Sequence, residues 1–311
     1  MFRHGRCRAV GTAVRTPRSG SGALAAFAHP TQPLAHEETP RYPDKMKLIR
    51  PQNLPTAAFV AAAFVAAVIA LAGPPASAQA DQREDFIAGR TRECPGCDLS
   101  GVSFKRRDLS GANLAGALLK DANFHDARLT GAKLAAADLT NANLNKANLS
   151  RADMAGATLA GAMLYGANLD AAKLMGANLG DALMGTARGL RCDLTNARLR
   201  EADMRKTRLD DAVLTGADLT GAALDQALLR DARLDGALLA ETRLMGADLS
   251  GAKLTGANLA DADALHANLR GADLSGANLA ATNLRQANLY EAKLDGATYR
   301  ATIMPDGTTE P

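Results

Sequence analysis

Cys94 and Cys97, in the run Cys94-Pro95-Gly96-Cys97, are the one close pair of side chains in this 311-residue sequence whose types and spacing could do chemistry. A C-x-x-C pair can form a thiol–disulfide centre when its surroundings favour the thiolate. That chemistry wants a thioredoxin-type βαβ setting, and no such pattern surrounds the pair. Two thiols could also be half of a zinc site, but no second pair follows. In an exported protein the pair would close a structural disulfide, and in a reduced one it would be two free thiols. The residues themselves leave these alternatives open. Cys192 stands alone in a column of alanines and reads as a small core residue.

The elements that hold these residues follow from a repeat. From Leu99 to Met304 a large residue falls on every fifth position, 42 in all, and Leu fills 33 of them. Two residues earlier lies a small residue, nearly always Ala, as at Ala112, Ala117 and Ala122; Thr207, Thr242, Thr282, Thr302, Cys97 and Cys192 substitute for it. The residue between is usually Asn, Asp, Arg or Lys, and Gly is the commonest residue two after the Leu. A helix turns about 100° per residue, so a period of five sprays leucines around its axis. A straight strand sends alternate leucines to opposite faces. The pattern works when each unit is a short extended side followed by a two-residue corner. Ala and Leu then point inward, the residue between them points out, and Gly or Asn supplies φ > 0 at the corner. Four sides close a coil of 20 residues, and coils stack at the ~4.8 Å spacing of paired strands.

Sorted by 20, six of the nine central residues that are not Leu share one face: Phe104, Phe124, Met184, Met204, Ala264 and Met304. This clustering supports a true 20-residue coil and predicts stacked rings for Phe104 and Phe124. At Gly189 and Ala264 the leucine comes one residue late, as Leu190 and Leu265, and a local bulge or distorted corner is expected at each. His125 and His266 occupy corners about seven coils apart, or ~34 Å, too far to share a site. Lys133, Asp153, Lys173 and Asp193 alternate in sign along one outward column. Met163 and Leu183 are outward-facing neighbours on successive coils with Tyr165 at a nearby corner, a small apolar patch fit for a partner protein. No Ser/His/Asp arrangement, phosphate loop or metal-ligand cluster is visible, so neither an enzyme nor a cofactor is expected.

The units "ANLAG", "ADLTN", "ANLNK" and "ADLSG" closely resemble the pentapeptide repeat family, whose pattern is A(D/N)LXX, over about 206 residues from Leu99 to Met304. The resemblance implies an all-β fold, a right-handed quadrilateral parallel β-helix of about ten coils. It also implies that "YRATIMPDGT", Tyr299 to Thr308, closes the solenoid, and that a homodimer could form end to end through the C-terminal coil with Tyr299 and Met304. Some family members regulate DNA gyrase by mimicking duplex DNA, which needs a cytoplasmic location and a strongly acidic surface.

Exposed solenoid ends need caps. Residues 81–97 read as the N-terminal cap, with a short helix over Asp81–Glu93 carrying Phe86 and Ile87, before the repeat domain at 98–304 and a tail at 305–311. Ahead of them, Met46–Ala80 has the basic start, 16-residue apolar run and small-x-small site of a secretory signal peptide cleaved before Asp81, with an uncleaved anchor as the alternative. Residues 1–45 are basic and rich in Pro, Gly, Ser and Arg; Met46 reads as the true start, or the segment is a disordered leader. Residues 1–80 hold nine Lys and Arg against three Asp and Glu, leaving 27 against 30 beyond them. The basic pI therefore belongs to the leader and does not argue for nucleic acid. The expectation is an exported, periplasmic or secreted scaffold that binds another protein. The alternatives are a gyrase-type DNA mimic and a thiol–disulfide protein using Cys94 and Cys97.

Overall fold

A computed structural model describes residues 76–310; residues 1–45 and all of the predicted signal peptide except Ala76–Ala80 lie outside them. Helix α1, Ala76–Ala88, opens the described chain. It starts and ends five residues before the helix expected over Asp81–Glu93, and it runs across the predicted cleavage point. Gly89 stops it there. With φ at +78°, Gly89 donates its N–H to Phe86 O at 3.0 Å while Arg90 N–H reaches Asp85 O at 2.8 Å, the paired bonds of a left-handed helix end. Arg107 closes the end from the first coil, its Nη1 donating to Ile87 O at 2.6 Å. Phe86 is fully buried and meets Phe104 edge-on at 5.7 Å and 76°, so the helix covers the mouth of the solenoid with an aromatic plug.

Beyond α1 the chain pairs with itself in parallel at a constant separation of 20 residues, from Glu93 with Asn113 to Asn283 with Ile303. Lys133, Asp138, Asn143 and Asn148 show the spacing: four bridging residues per 20, one for each five-residue unit. The result is a β-helix whose sides are single bridges, too short to be strands.

The unit from Ala136 to Thr140 explains the residue pattern through its backbone donors. Ala136 N–H and Leu139 N–H donate forward to Ala155 O (2.9 Å) and Thr158 O (2.7 Å) in the next coil, and Asp138 N–H donates back to Ala117 O (2.9 Å). Ala137 N–H closes the corner onto Leu134 O (3.1 Å). The first-corner residue, Thr140, has no backbone acceptor, and Asp138 Oδ1 takes its N–H at 3.1 Å. Asn or Asp between Ala and Leu is thus a local cap that satisfies the donor the ladder leaves over. The second corner residue takes positive φ, between 54° and 61° at every non-glycine position that adopts it.

Inside, Ala and Leu columns are almost all fully buried, and Phe104 stacks on Phe124 at 5.2 Å and 17° as the 20-residue sorting predicts. The threonines of the Ala column keep their hydroxyls satisfied by backbone, as Thr207 does on Met204 O at 2.7 Å.

The expected breaks at the two late leucines are corrected. No bulge interrupts the ladder at Gly189 or Ala264: their N–H groups reach Arg208 O (2.7 Å) and Asn283 O (2.8 Å), the bonds that leucines make at equivalent places. Leu190 and Leu265 are ordinary half-buried corner residues. The backbone ladder sets the corner, so losing an inward side chain does not shift it. The alternating column Lys133, Asp153, Lys173, Asp193 bridges coil to coil, yet none of the four belongs to an ion pair among the described residues. Asp193 turns instead to its own corner, accepting from Thr195 N–H at 3.0 Å and its hydroxyl at 2.6 Å. Most ion pairs among the described residues link positions 18 or 20 apart, as in Arg188–Asp170 (2.6 Å) and Arg230–Asp210 (2.7 Å), while Arg205–Asp203 lies within one unit.

Candidate functional site

Cys94 and Cys97 are joined by a disulfide, and both are buried under α1. Their backbones already belong to the ladder: Cys94 N–H donates to Asn113 O at 2.8 Å, and Cys97 O accepts from Leu118 N–H at 2.9 Å. Sulfurs placed this way stiffen the corner between the cap and the first coil and are poorly reached by an attacking thiolate. Cys192 is free, and burial pushes its thiol up to about 12, which keeps it protonated and inert. His125 lies at a first corner, its N–H on Asn123 Oδ1 at 3.0 Å, and His266 is exposed at a second corner with φ 59°. They share no site. Among the described residues no group of three or more His, Cys, Asp or Glu could hold a metal ion, and no helix is long and apolar enough to cross a membrane.

The outward residues singled out in the sequence, Met163, Tyr165 and Leu183, line one groove with a cavity volume of ≈ 450 Å³. Met163 and Leu183 bridge each other across successive coils and form its floor. Tyr165 forms a wall; it is 56 % exposed and Leu183 is 48 % exposed, high values for large apolar side chains. Gly185 makes the space. A Cβ there would stand 3.4 Å from Cδ2 of Tyr165, so the ring lies against the bare glycine. Gly185 has no positive φ, so the turn does not require glycine at this corner. The far side carries Arg205, whose guanidinium grips the Asp203 carboxylate at 2.6 and 2.8 Å, and exposed Lys206. That carboxylate is held below its usual range, first by the Arg205 side chain. The sequence shows the apolar trio through its column positions. It does not show Gly185 as a gap, because glycine is common at the neighbouring corner position for a different reason.

A fold of five-residue units whose inner columns are Ala and Leu and whose outer residue caps each corner defines a pentapeptide-repeat solenoid. The model of that family, pentapeptide repeats in eight copies, matches residues 97–135, 132–170, 142–181, 192–231, 227–263 and 266–298, together more than half of the chain. The chain belongs to the pentapeptide repeat family. Among solved structures it is similar to HetL, a pentapeptide repeat protein involved in heterocyst differentiation regulation from the cyanobacterium Nostoc sp. strain PCC 7120, at 32% identity over 73% of this chain and 97% of that one, with a TM-score of 0.33. It is also similar to QnrB1, a plasmid-mediated fluoroquinolone resistance protein, at 17% identity over 66% of this chain and 92% of that one, with a TM-score of 0.29. A thylakoid-lumen pentapeptide repeat protein from Arabidopsis thaliana matches at 29% identity over 38% of this chain and 73% of its own length, with a TM-score of 0.16. No curated protein matches.

Proposed function

We propose that this chain is an exported, non-enzymatic scaffold that binds another protein through its outer faces. The observation that carries this reading is the groove at Met163, Tyr165 and Leu183, a group of large apolar side chains on a surface rich in Asx caps and ion pairs. Repeat solenoids present extended surfaces of this kind to partners. The coil is right-handed and quadrilateral, with about ten turns, and it needs no cofactor. Signal peptide Met46–Ala80 directs the chain to the periplasm or outside the cell, with cleavage before Asp81, and the disulfide suits that oxidising compartment. Pairing of two copies through the C-terminal coil accompanies this role. The gyrase-type alternative is disfavoured because Arg and Lys interleave with the Asp residues, as at Arg188–Asp170, and break up the continuous negative surface that a DNA mimic needs.

The test is the mass and N-terminus of the native protein in fractionated cells. A chain starting at Asp81 in the periplasmic fraction supports export; one retaining Met1 or Met46 in the cytoplasm overturns it. Reactivity of the reduced Cys94–Cys97 pair toward a model disulfide separates the scaffold from a thiol–disulfide protein. A pair that exchanges no faster than an unfolded dithiol fits the scaffold.

A further inference from the structure

One corner column of the groove shows how this surface handles a spare backbone donor. Asn145 N–H is taken by Asn143 Oδ1 at 3.1 Å, and Arg205 N–H by Asp203 Oδ1 at 3.2 Å, each by the outward residue of its own unit. Tyr165 follows Met163, which has no acceptor, and Asn145 Oδ1 reaches across one coil to take the Tyr165 N–H at 2.8 Å. Gly185 follows Leu183, which also has no acceptor, and its N–H has no partner among the described residues. Where the outward residue is Asn or Asp it supplies the acceptor, so this N–H faces the outer surface where the groove lies; the N–H groups of Lys105, Asp225 and Met245 in the same column are likewise without a partner among the described residues, and Gly185 differs from them in opening onto the groove. Lys206 lines the same groove and belongs to no ion pair among the described residues, whereas Arg205 is occupied by Asp203.

The groove therefore joins an apolar floor to one uncommitted N–H and one uncommitted ammonium. Its complement is an apolar group with a carboxylate close by. The geometry points to a site for the C-terminal residue of another protein. A large apolar side chain rests on Met163, Leu183 and the Tyr165 ring, and the α-carboxylate meets Gly185 N–H and Lys206. One carboxylate oxygen then fills the role that Asp203 Oδ1 plays for Arg205 N–H one coil further on. A small free acid shares this chemistry, but a peptide end also offers amide groups to Asn145 and Thr186 at the rim. The inference rests on the protein-binding reading above and names the part of the partner that is gripped.

The test is titration of the full-length protein with a short peptide ending in Phe as the free acid, followed by NMR or calorimetry. The same peptide as its C-terminal amide and 3-phenylpropionate serve as the other probes. The free acid binds with a Kd below about 1 mM, and the amide binds at least tenfold more weakly. Lys206→Gln weakens the free acid roughly tenfold, the loss of one charge-assisted hydrogen bond. Leu183→Asn removes the floor and supplies the missing cap, so binding disappears while the melting temperature holds, because Asn already fills this column at Asn143. Equal binding of acid and amide overturns carboxylate recognition. Binding of 3-phenylpropionate as tight as that of the peptide overturns the assignment to a protein terminus. If no probe binds, the inference falls while the scaffold reading stands on its own fractionation test.

Discussion

The sulfur of Cys192 fills the hollow beside Gly189: a Cβ placed on that glycine would stand 3.0 Å from Sγ and 3.1 Å from Leu209 Cδ2. The two positions compensate, a missing leucine on one side and a bulkier residue than alanine on the other. Gly189 has no positive φ, so its backbone accepts alanine. Gly189→Ala alone should overpack the axis and cost about 1–3 kcal/mol. Adding Cys192→Ala should recover most of that loss, with a coupling of about 1 kcal/mol between the two changes in thermal or urea unfolding. Additive costs would show that the sulfur does not occupy this space.

The fold was unusually legible because every unit repeats one instruction. A period of five excludes helix and strand, and the face shared by Phe104 and Phe124 points to the 20-residue coil. What stayed hidden was the purpose of the outward Asn and Asp. Their column position says only that they point outward, whereas Asp138 turns along the surface to cap Thr140 N–H. That bond is invisible without the backbone accounting. The same gap concealed the groove's free donor, since Leu183 reads as an exposed apolar residue and not as a missing cap. The late leucines at Leu190 and Leu265 misled in the other direction, because a change in inward side chain does not move a backbone-held corner.

Left-handed corners held by alanine are sites of avoidable strain. Ala136, Ala171 and Ala281 have φ of 55°, 54° and 56°. An L-residue pays roughly 1–2 kcal/mol for that conformation, while glycine gives up about 0.5–1 kcal/mol through its freer unfolded chain. Ala136→Gly, Ala171→Gly and Ala281→Gly should each raise stability by up to about 1 kcal/mol. An unchanged or lower unfolding midpoint for all three would contradict this.

Acid should weaken the solenoid in a defined window. Asp98, Asp108 and Asp273 are held below the usual carboxylate range, chiefly by the hydroxyl of the serine two residues on and then by its N–H. At Asp138 and Asp218 burial pushes the carboxyl up, but Thr140 and Thr220, with Lys120 and Arg200, outweigh it. A folded pKa below the unfolded value of ~3.9 gives stability that is present above that value and lost as pH falls through the folded one. The melting temperature should stay level from about pH 7 to 5 and fall below about pH 4. Ser100→Ala with Ser275→Ala should make that fall shallower.

The C-terminal coil is the unfinished end. Leu289, Leu294, Tyr299 and Met304 are only partly buried, and the N–H groups of Leu294 and Tyr299 have no partner among the described residues. Open edges of this kind favour pairing with a second copy. Sedimentation equilibrium should show a dimer that Leu294→Lys converts to monomer with the upstream coils still folded. A monomer at every concentration would remove the dimer from the proposed function.

The 20-residue bridge separation gives this molecule two different tolerances to length change. Deleting one five-residue unit leaves every Ala and Leu pointing inward, so the core survives, but all later outward residues move to the next column. Deleting 20 restores their alignment. Core and surface are thus written in frames of different size, and a gene that gains or loses single units can reshuffle what each face displays without having to invent a new interior.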